Sequence, residues 1–144
     1  MYKRQLDIHT ISAYETTASK FFGCLEEGKI DLALDVRLKN TNQLAGFTKR
    51  DDLAYFVKRL TGAEYKHDLL FAPAPTLFER YIHGNIDWDA YASAYRDDLR
   101  ERNAIEQFFD RYGDKRSVAL VGTATRARRS HAEVLKEMLE EALD

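Results

Sequence analysis

Ser117-Val118-Ala119-Leu120-Val121-Gly122, followed downstream by Ser130-His131-Ala132-Glu133, is the stretch on which the fold turns. The first piece is an unbroken apolar run with no polar alternation, the pattern of a strand covered on both faces. The second has the Ser-x-x-Glu form of a capping box and opens a helix carrying Val134, Leu135, Met138 and Leu139. A buried strand feeding a capped helix is an α/β unit. Working outward, the same alternation recurs. Leu6 to Ile11 reads as a first strand, and Ser12-Ala13-Tyr14-Glu15 reads as another capping box, with Ala18, Phe21, Phe22 and Leu25 at helical spacing before Gly28. Ile30 to Val36 is a second buried strand. Lys39 to Gly46 is a loop, and Thr48-Lys49-Arg50-Asp51 opens a helix with Leu53, Phe56, Val57 and Leu60 on one face, ending at Gly62.

Glu64 to His67 makes a short strand, and Thr76 to Tyr81 a brief helix after Pro73 and Pro75. Asp87 is a good N-cap for a long helical region with Trp88, Tyr91, Tyr95 and Leu99 on one face. The phase shifts afterwards to Ile105, Phe108 and Phe109, which places a break near Asn103. Strands alternating with helices predict one three-layer α/β sandwich, a mostly parallel sheet flanked by helices, over residues 6–144. Met1 to Gln5 read as a non-native leader and are set aside.

A chain of 144 residues, 44% hydrophobic and 32% charged, is globular in composition. A net charge of −2 gives no global pull toward nucleic acid or an anionic membrane. No run has the roughly 18 apolar residues of a membrane span. The single cysteine, Cys24, excludes an intramolecular disulfide and fits a cytoplasmic home; its place on an amphipathic helix predicts a buried, inert thiol.

In open α/β sheets ligands bind outside the carboxyl ends of the strands. That edge gathers His9 and Ser12, then Asp35 and Arg37, then His67, and finally the loop from Gly122 to His131. Asp35 and Arg37, two apart on a strand, share a face and either address one ligand or form a structural ion pair. The loop with Arg126, Arg128 and Arg129 is the best anion-site candidate, because guanidinium groups and a helix N-terminus both favour phosphate. It is not a glycine-rich phosphate cradle, and neither a Walker motif nor Gly-x-Gly-x-x-Gly occurs. Ser130 and His131, adjacent on a helix, do not face each other, and Ser130 has a sufficient role as N-cap. His9, His67, His83 and His131 show no metal spacing, so no metal and no cofactor is expected. Trp88, Tyr91 and Tyr95 belong to the core.

Asp35-Val-Arg-Leu-Lys-Asn-Thr-Asn-Gln-Leu-Ala-Gly-Phe-Thr-Lys-Arg-Asp-Asp-Leu-Ala-Tyr-Phe56, then Tyr65-Lys-His67, Phe71-Ala-Pro73 and Ile86-Asp-Trp-Asp-Ala-Tyr91, occur in that order. With these motifs the chain resembles the domain of unknown function 488 family from about Leu6 to Leu143. The resemblance implies an α/β sandwich and brings no established reaction. It also implies a cysteine at the end of the last strand and a Cys-His-Arg opening the final helix, where this chain has Gly122 and Ser130-His131-Ala132. Ser12 stands where the resemblance implies a glycine. Thiolate, metal-thiolate and disulfide chemistry therefore do not carry over, whereas Asp35, Arg37, Asn40, Gln43, Lys49 and His67 are retained.

Three functions follow as expectations. The favoured one is binding of a small phosphate-bearing ligand at the carboxyl edge by Asp35, Arg37, Asn40, Gln43, Lys49, His67, Arg126, Arg129, Ser130 and His131. The second is a repair-type nucleic-acid accessory protein, which requires Lys49, Arg50, Lys58 and Arg59 to form one basic face with Arg126 to Arg129. The third is a hydrolase-like enzyme with His67 or His131 as general base oriented by Asp35.

Overall fold

Four strands and six helices alternate along residues 5–40 and 46–143, which the computed structural model of the protein describes. The strands are β1 (Asp7–Ser12), β2 (Leu32–Asp35), β3 (Glu64–His67) and β4 (Ser117–Gly122). The helices are α1 (Ala18–Glu27), α2 (Arg50–Thr61), α3 (Pro75–Ile82), α4 (Trp88–Glu101), α5 (Ala104–Tyr112) and α6 (His131–Ala142). Gln43 and residues 1–4 lie outside the described residues, and Gln5 is exposed.

The strands form one all-parallel sheet in the order β1-β4-β2-β3. The two central strands are the two whose residues are all buried, as continuous apolar runs require. The outer strands β1 and β3 have exposed positions along their length. One face packs Phe21, Phe22 and Leu25 of α1 and Leu53 and Val57 of α2 against Ala33, Ala119 and Val121. The other packs Tyr95, Leu99, Phe108, Leu135 and Leu139 of α4 to α6 against Ile8, Leu32, Leu34, Val118 and Leu120. This is the three-layer α/β sandwich expected. No helix among the described residues is long and apolar enough to cross a membrane.

Most boundaries fall within a residue or two of those read from the sequence. The break near Asn103 is a left-handed residue (φ 53°) between α4 and α5, a conformation that asparagine tolerates better than most side chains. Four local expectations are corrected. Ser12-x-x-Glu15 does not cap α1; Thr17 does, accepting from the Lys20 amide, and both Ser12 and Glu15 bond elsewhere. Leu60 is 53% exposed, because Leu53 and Val57 already fill the buried stripe of α2. Cys24 is exposed: it falls outside the Phe21, Phe22, Leu25 stripe that faces the sheet. His9 lies in the middle of β1, paired in register with Ala119, so it does not reach the carboxyl edge.

The topology creates its own crevice. β1 and β2 continue into α1 and α2 on one face, while β4, between them, continues into α6 on the other. Connections that leave neighbouring strands toward opposite faces part at the carboxyl edge, and the loop from Thr123 to Ser130 emerges there.

Gly122 holds that exit tight. A Cβ on it would lie 2.5 Å from Ser130 Oγ and 2.8 Å from Ala132 Cβ, whereas one on Gly23 in α1 would meet nothing within 4 Å. Gly122→Ala is expected to lower stability in urea denaturation by about 1–3 kcal/mol through overpacking. Gly23→Ala is expected to raise it by about 0.5–1 kcal/mol, since it removes a helix-interior glycine without a clash.

Candidate functional site

β2 is too short to carry Arg37 within the sheet, yet Arg37 is fully buried, because Asp35 at the strand end grips it. Arg37 Nε donates to Asp35 Oδ1 and Nη2 to Oδ2, both at 2.8 Å, a bidentate pairing of the strong kind. Arg37 Nη2 also donates to the Thr48 carbonyl at 2.6 Å, fastening the start of α2 to the end of β2. Asn40 Nδ2 and the Tyr65 hydroxyl both donate to Asp35 Oδ2, at 3.2 and 2.5 Å. Tyr65 pairs in register with Ala33, two residues before Asp35, so it stands on the same face and reaches the carboxylate diagonally.

These contacts set the charge states. Burial pushes the Asp35 carboxyl upward, but hydrogen bonds and charge from Arg37, with Tyr65 and Asn40, outweigh it and hold the group below the ordinary carboxylate range. Burial likewise opposes the Arg37 charge and is outweighed by Asp35, so its pKa is raised. Tyr65 is driven upward, first by burial and then by the neighbouring Asp35 charge, and stays a donor.

Two histidines hold the same turn through its backbone. His131 Nε2 meets the Val36 carbonyl at 2.7 Å, and His67 Nε2 meets the next carbonyl, Arg37 O, at 2.8 Å. His131 is fully buried, its ring edge-on to Tyr95 at 5.2 Å. Burial brings its pKa down to about 4, so the ring is neutral and donates Nε2–H to Val36. Asp35 is hydrogen-bonded to Arg37, Asn40 and Tyr65, and neither histidine contacts it.

The second half of the edge is the loop from Thr123 to Ser130. Ser12 Oγ donates to the Ala124 carbonyl, and Glu15 Oε1 accepts the Arg126 amide at 2.6 Å, so the segment after β1 is clasped to it. Thr125 Oγ1 accepts the amides of Ala127 and Arg128. The Tyr81 hydroxyl of α3 accepts the Arg129 amide and donates to the Arg129 carbonyl, each at 3.0 Å. Ser130 caps α6 as expected, accepting from Ala132 N and Thr123 N, while Glu133 completes the capping box.

The arginines of the loop differ in freedom. Arg129 lies 4.4 Å from the Trp88 ring centre and pairs with Glu133 at 3.2 Å. Arg128, half-buried, donates to the Ile82 carbonyl at 3.3 Å. Arg126 is exposed. Tyr14 stands between the halves of the edge. Burial raises its pKa, while the charges of Arg37 and Arg128 pull against that shift. Tyr14 and Arg128 line a small cleft with Tyr81 and Thr123. A neighbouring cavity of about 110 Å³ runs between Thr10, Ser12, Gly122, Ser130 and Glu133, room for about three waters at ~30 Å³ each.

The structure thus brings Asp35, Arg37, Asn40 and His67 into one cluster, and Arg126, Arg129, Ser130 and His131 into another, with His131 touching both. Lys49 is the N-cap residue of α2, next to Thr48. Tyr14, Thr48, Tyr65, Tyr81 and Glu15 are the participants that sequence reasoning missed. The partners of Thr48, Tyr65, Tyr81 and Glu15 lie 11 to 111 residues away, beyond any local pattern. Among the described residues no group of His, Cys, Asp and Glu is placed to hold a metal ion. The basic residues proposed to form one face are divided: Lys49 and Arg50 open α2 at the carboxyl edge, whereas Lys58 and Arg59 close it at the opposite edge. Arg50 is also paired with Asp51.

A family model described as Domain of unknown function DUF488 matches residues 17–139. No curated protein and no solved structure matches the chain.

Asp35→Asn is expected to cost about 3–5 kcal/mol in urea denaturation, because it leaves a buried guanidinium without its counter-charge. Acid sensitivity has two windows. His131 binds protons in the unfolded chain below its ordinary 6.5 but in the folded chain only below about 4, so stability falls as pH drops through that interval. The Asp35 contribution is present above the ordinary carboxylate value of 3.8 and is lost only as pH falls further, through the lowered folded value. His131→Gln is therefore expected to flatten the stability–pH slope between pH 6.5 and 4, measured by denaturant midpoints, whatever it does to absolute stability.

Proposed function

The chain belongs to the family of the domain of unknown function DUF488, and from that premise we propose that it binds a small, phosphate-bearing anion at the carboxyl edge of its sheet, without thiol chemistry. The observation that supports this reading is the cleft that Arg128 and Arg129 line with Tyr14, Tyr81 and Thr123, in a loop that also carries Arg126; the charge of Arg37 is felt at the Tyr14 phenol as well. Guanidinium groups recognise phosphate oxygens in a planar, bidentate way, and partial burial limits screening by salt. Arg37 supplies field rather than a free arm, since Asp35 and Thr48 take its donors. Direct contact falls to Arg126, Arg128 and the Tyr14 hydroxyl, with Asn40, Lys49, His67, Arg129, Ser130 and His131 forming or supporting the rim. The single exposed thiol suits a reducing cytoplasm.

Two other readings find less in the geometry. A general base oriented by Asp35 lacks the Asp–His contact it needs, and an extended nucleic-acid face lacks contiguity because the two ends of α2 lie at opposite edges of the sheet.

Thermal-shift titration tests the proposal with inorganic phosphate, nucleoside phosphates and sugar phosphates at low ionic strength. A ligand at ten times its Kd is expected to stabilise the fold by about 1.4 kcal/mol, and Arg128→Ala is expected to abolish most of the shift. Absence of any shift up to millimolar concentration with every compound would remove the reading.

A further inference from the structure

The arginine loop is already filled from inside. All five amides from Arg126 to Ser130 donate to side-chain oxygens: Glu15 takes Arg126, Thr125 takes Ala127 and Arg128, Tyr81 takes Arg129, and Glu133 takes Ser130. Two of these acceptors are carboxylates, and they are not equivalent. Glu133 belongs to the α6 capping box and is paired with Arg129, so it is part of the helix start. Glu15 belongs to another segment, 111 residues away in sequence, and is exposed to solvent. It follows directly on Tyr14, which lines a cleft with Arg128.

We propose that Glu15 is an internal competitor for the anion site: its carboxylate accepts the Arg126 amide, and a small phosphate-bearing ligand displaces it. The inference rests on the anion-binding reading above and adds its regulation. A carboxylate and a phosphate oxygen make the same demand on an amide and on the arginines around it, so both cannot be served at once. The clasp has a second consequence. Ser12 Oγ bonds Ala124 and Ala13 N bonds Gly122 O, so the segment after β1 stays attached when Glu15 swings away. Displacement then moves one side chain and leaves the clasp in place. The exposure of Glu15 keeps the barrier low, since water already competes for the carboxylate.

The charge is the quantity to change. Glu15→Gln keeps an oxygen for the Arg126 amide but removes the negative charge. Glu27→Gln makes the same change in net charge at the last residue of α1, at the opposite edge of the sheet. Inorganic phosphate titrated into wild type, Glu15→Gln and Glu27→Gln at low salt, followed by the amide resonances of Arg126 to Ser130, reads the result. The expected outcome is about three- to tenfold tighter binding by Glu15→Gln alone. Equal affinity of Glu15→Gln and wild type overturns the competitor and leaves the anion site standing. An equal gain in Glu27→Gln assigns the effect to net charge and also overturns it. If phosphate saturates none of the three proteins, the anion reading and the competitor fall together.

Discussion

The buried pairing of Asp35 with Arg37 is the interaction on which the carboxyl edge is built. A strand of four residues ends at Asp35, and the chain must turn away into solvent unless something holds it. The bidentate pair holds it by folding Arg37 back on the strand end, and Arg37 then carries the Thr48 carbonyl, and with it the start of α2. Neither charge tolerates burial alone; each is stable there because the other's donors or acceptors are satisfied within a shared network. Asn40 and Tyr65 complete the carboxylate's shell, and the two histidines pin successive carbonyls, Val36 and Arg37. Sheet, helix start and loop are thereby fixed to one point.

His131 shows why a neutral ring suits that point. It opens α6, sits against Tyr95, and donates to a carbonyl on the neighbouring strand, so it couples the helix that follows β4 to the turn that follows β2. A lysine would bring a second cation close to Arg37 in a dry layer. A histidine gives the donor without the charge, because burial holds it neutral until the pH approaches about 4. The fold thus links the two halves of its carboxyl edge through an uncharged hydrogen bond, and keeps its charges for the ends.

Legibility in the sequence followed the range of the interaction. The buried run Ser117 to Gly122 and the Ser130 box were readable because strand burial and helix capping are local, and both stand as read. Asp35 and Arg37 were readable as neighbours from their spacing of two, although β2 ends at Asp35 and Arg37 reaches the carboxylate from the turn beyond it rather than along a strand face. The same kind of local pattern misled at Ser12-x-x-Glu15, where tertiary partners, Ala124 and Arg126, outbid the helix for both side chains. Cys24 and Leu60 misled for a different reason. Amphipathic stripes name the buried face only to within a residue, and a helix on a four-stranded sheet covers less of itself than its apolar content suggests. Tyr65 stood in the Tyr65-Lys-His67 motif with no role attached, and Tyr81 and Tyr14 had no signal at all, since a tyrosine on a short helix or a bend is equally at home with or without a distant partner.

Gly122 and Ser130, which stand where the resemblance implies cysteines, take on a physical meaning in this setting. The two residues are packed so closely that a Cβ at 122 would strike Ser130 Oγ, which is itself engaged by the amides of Thr123 and Ala132. Ser130 has become a hinge pin between strand exit and helix start, a role that uses a hydroxyl as acceptor and needs no reactivity. Once that corner is spent on structure, the proposed anion recognition is left to the exposed Arg126 and the half-buried Arg128. There the Arg128 guanidinium is held by the Ile82 carbonyl and the Arg126 amide by the Glu15 carboxylate. An edge whose donors are positioned before any ligand arrives loses little entropy on binding, but it must first release the partner that positions them. Affinity at such an edge is therefore set by a contrast: how much better an anion satisfies the loop than the protein's own carboxylate already does.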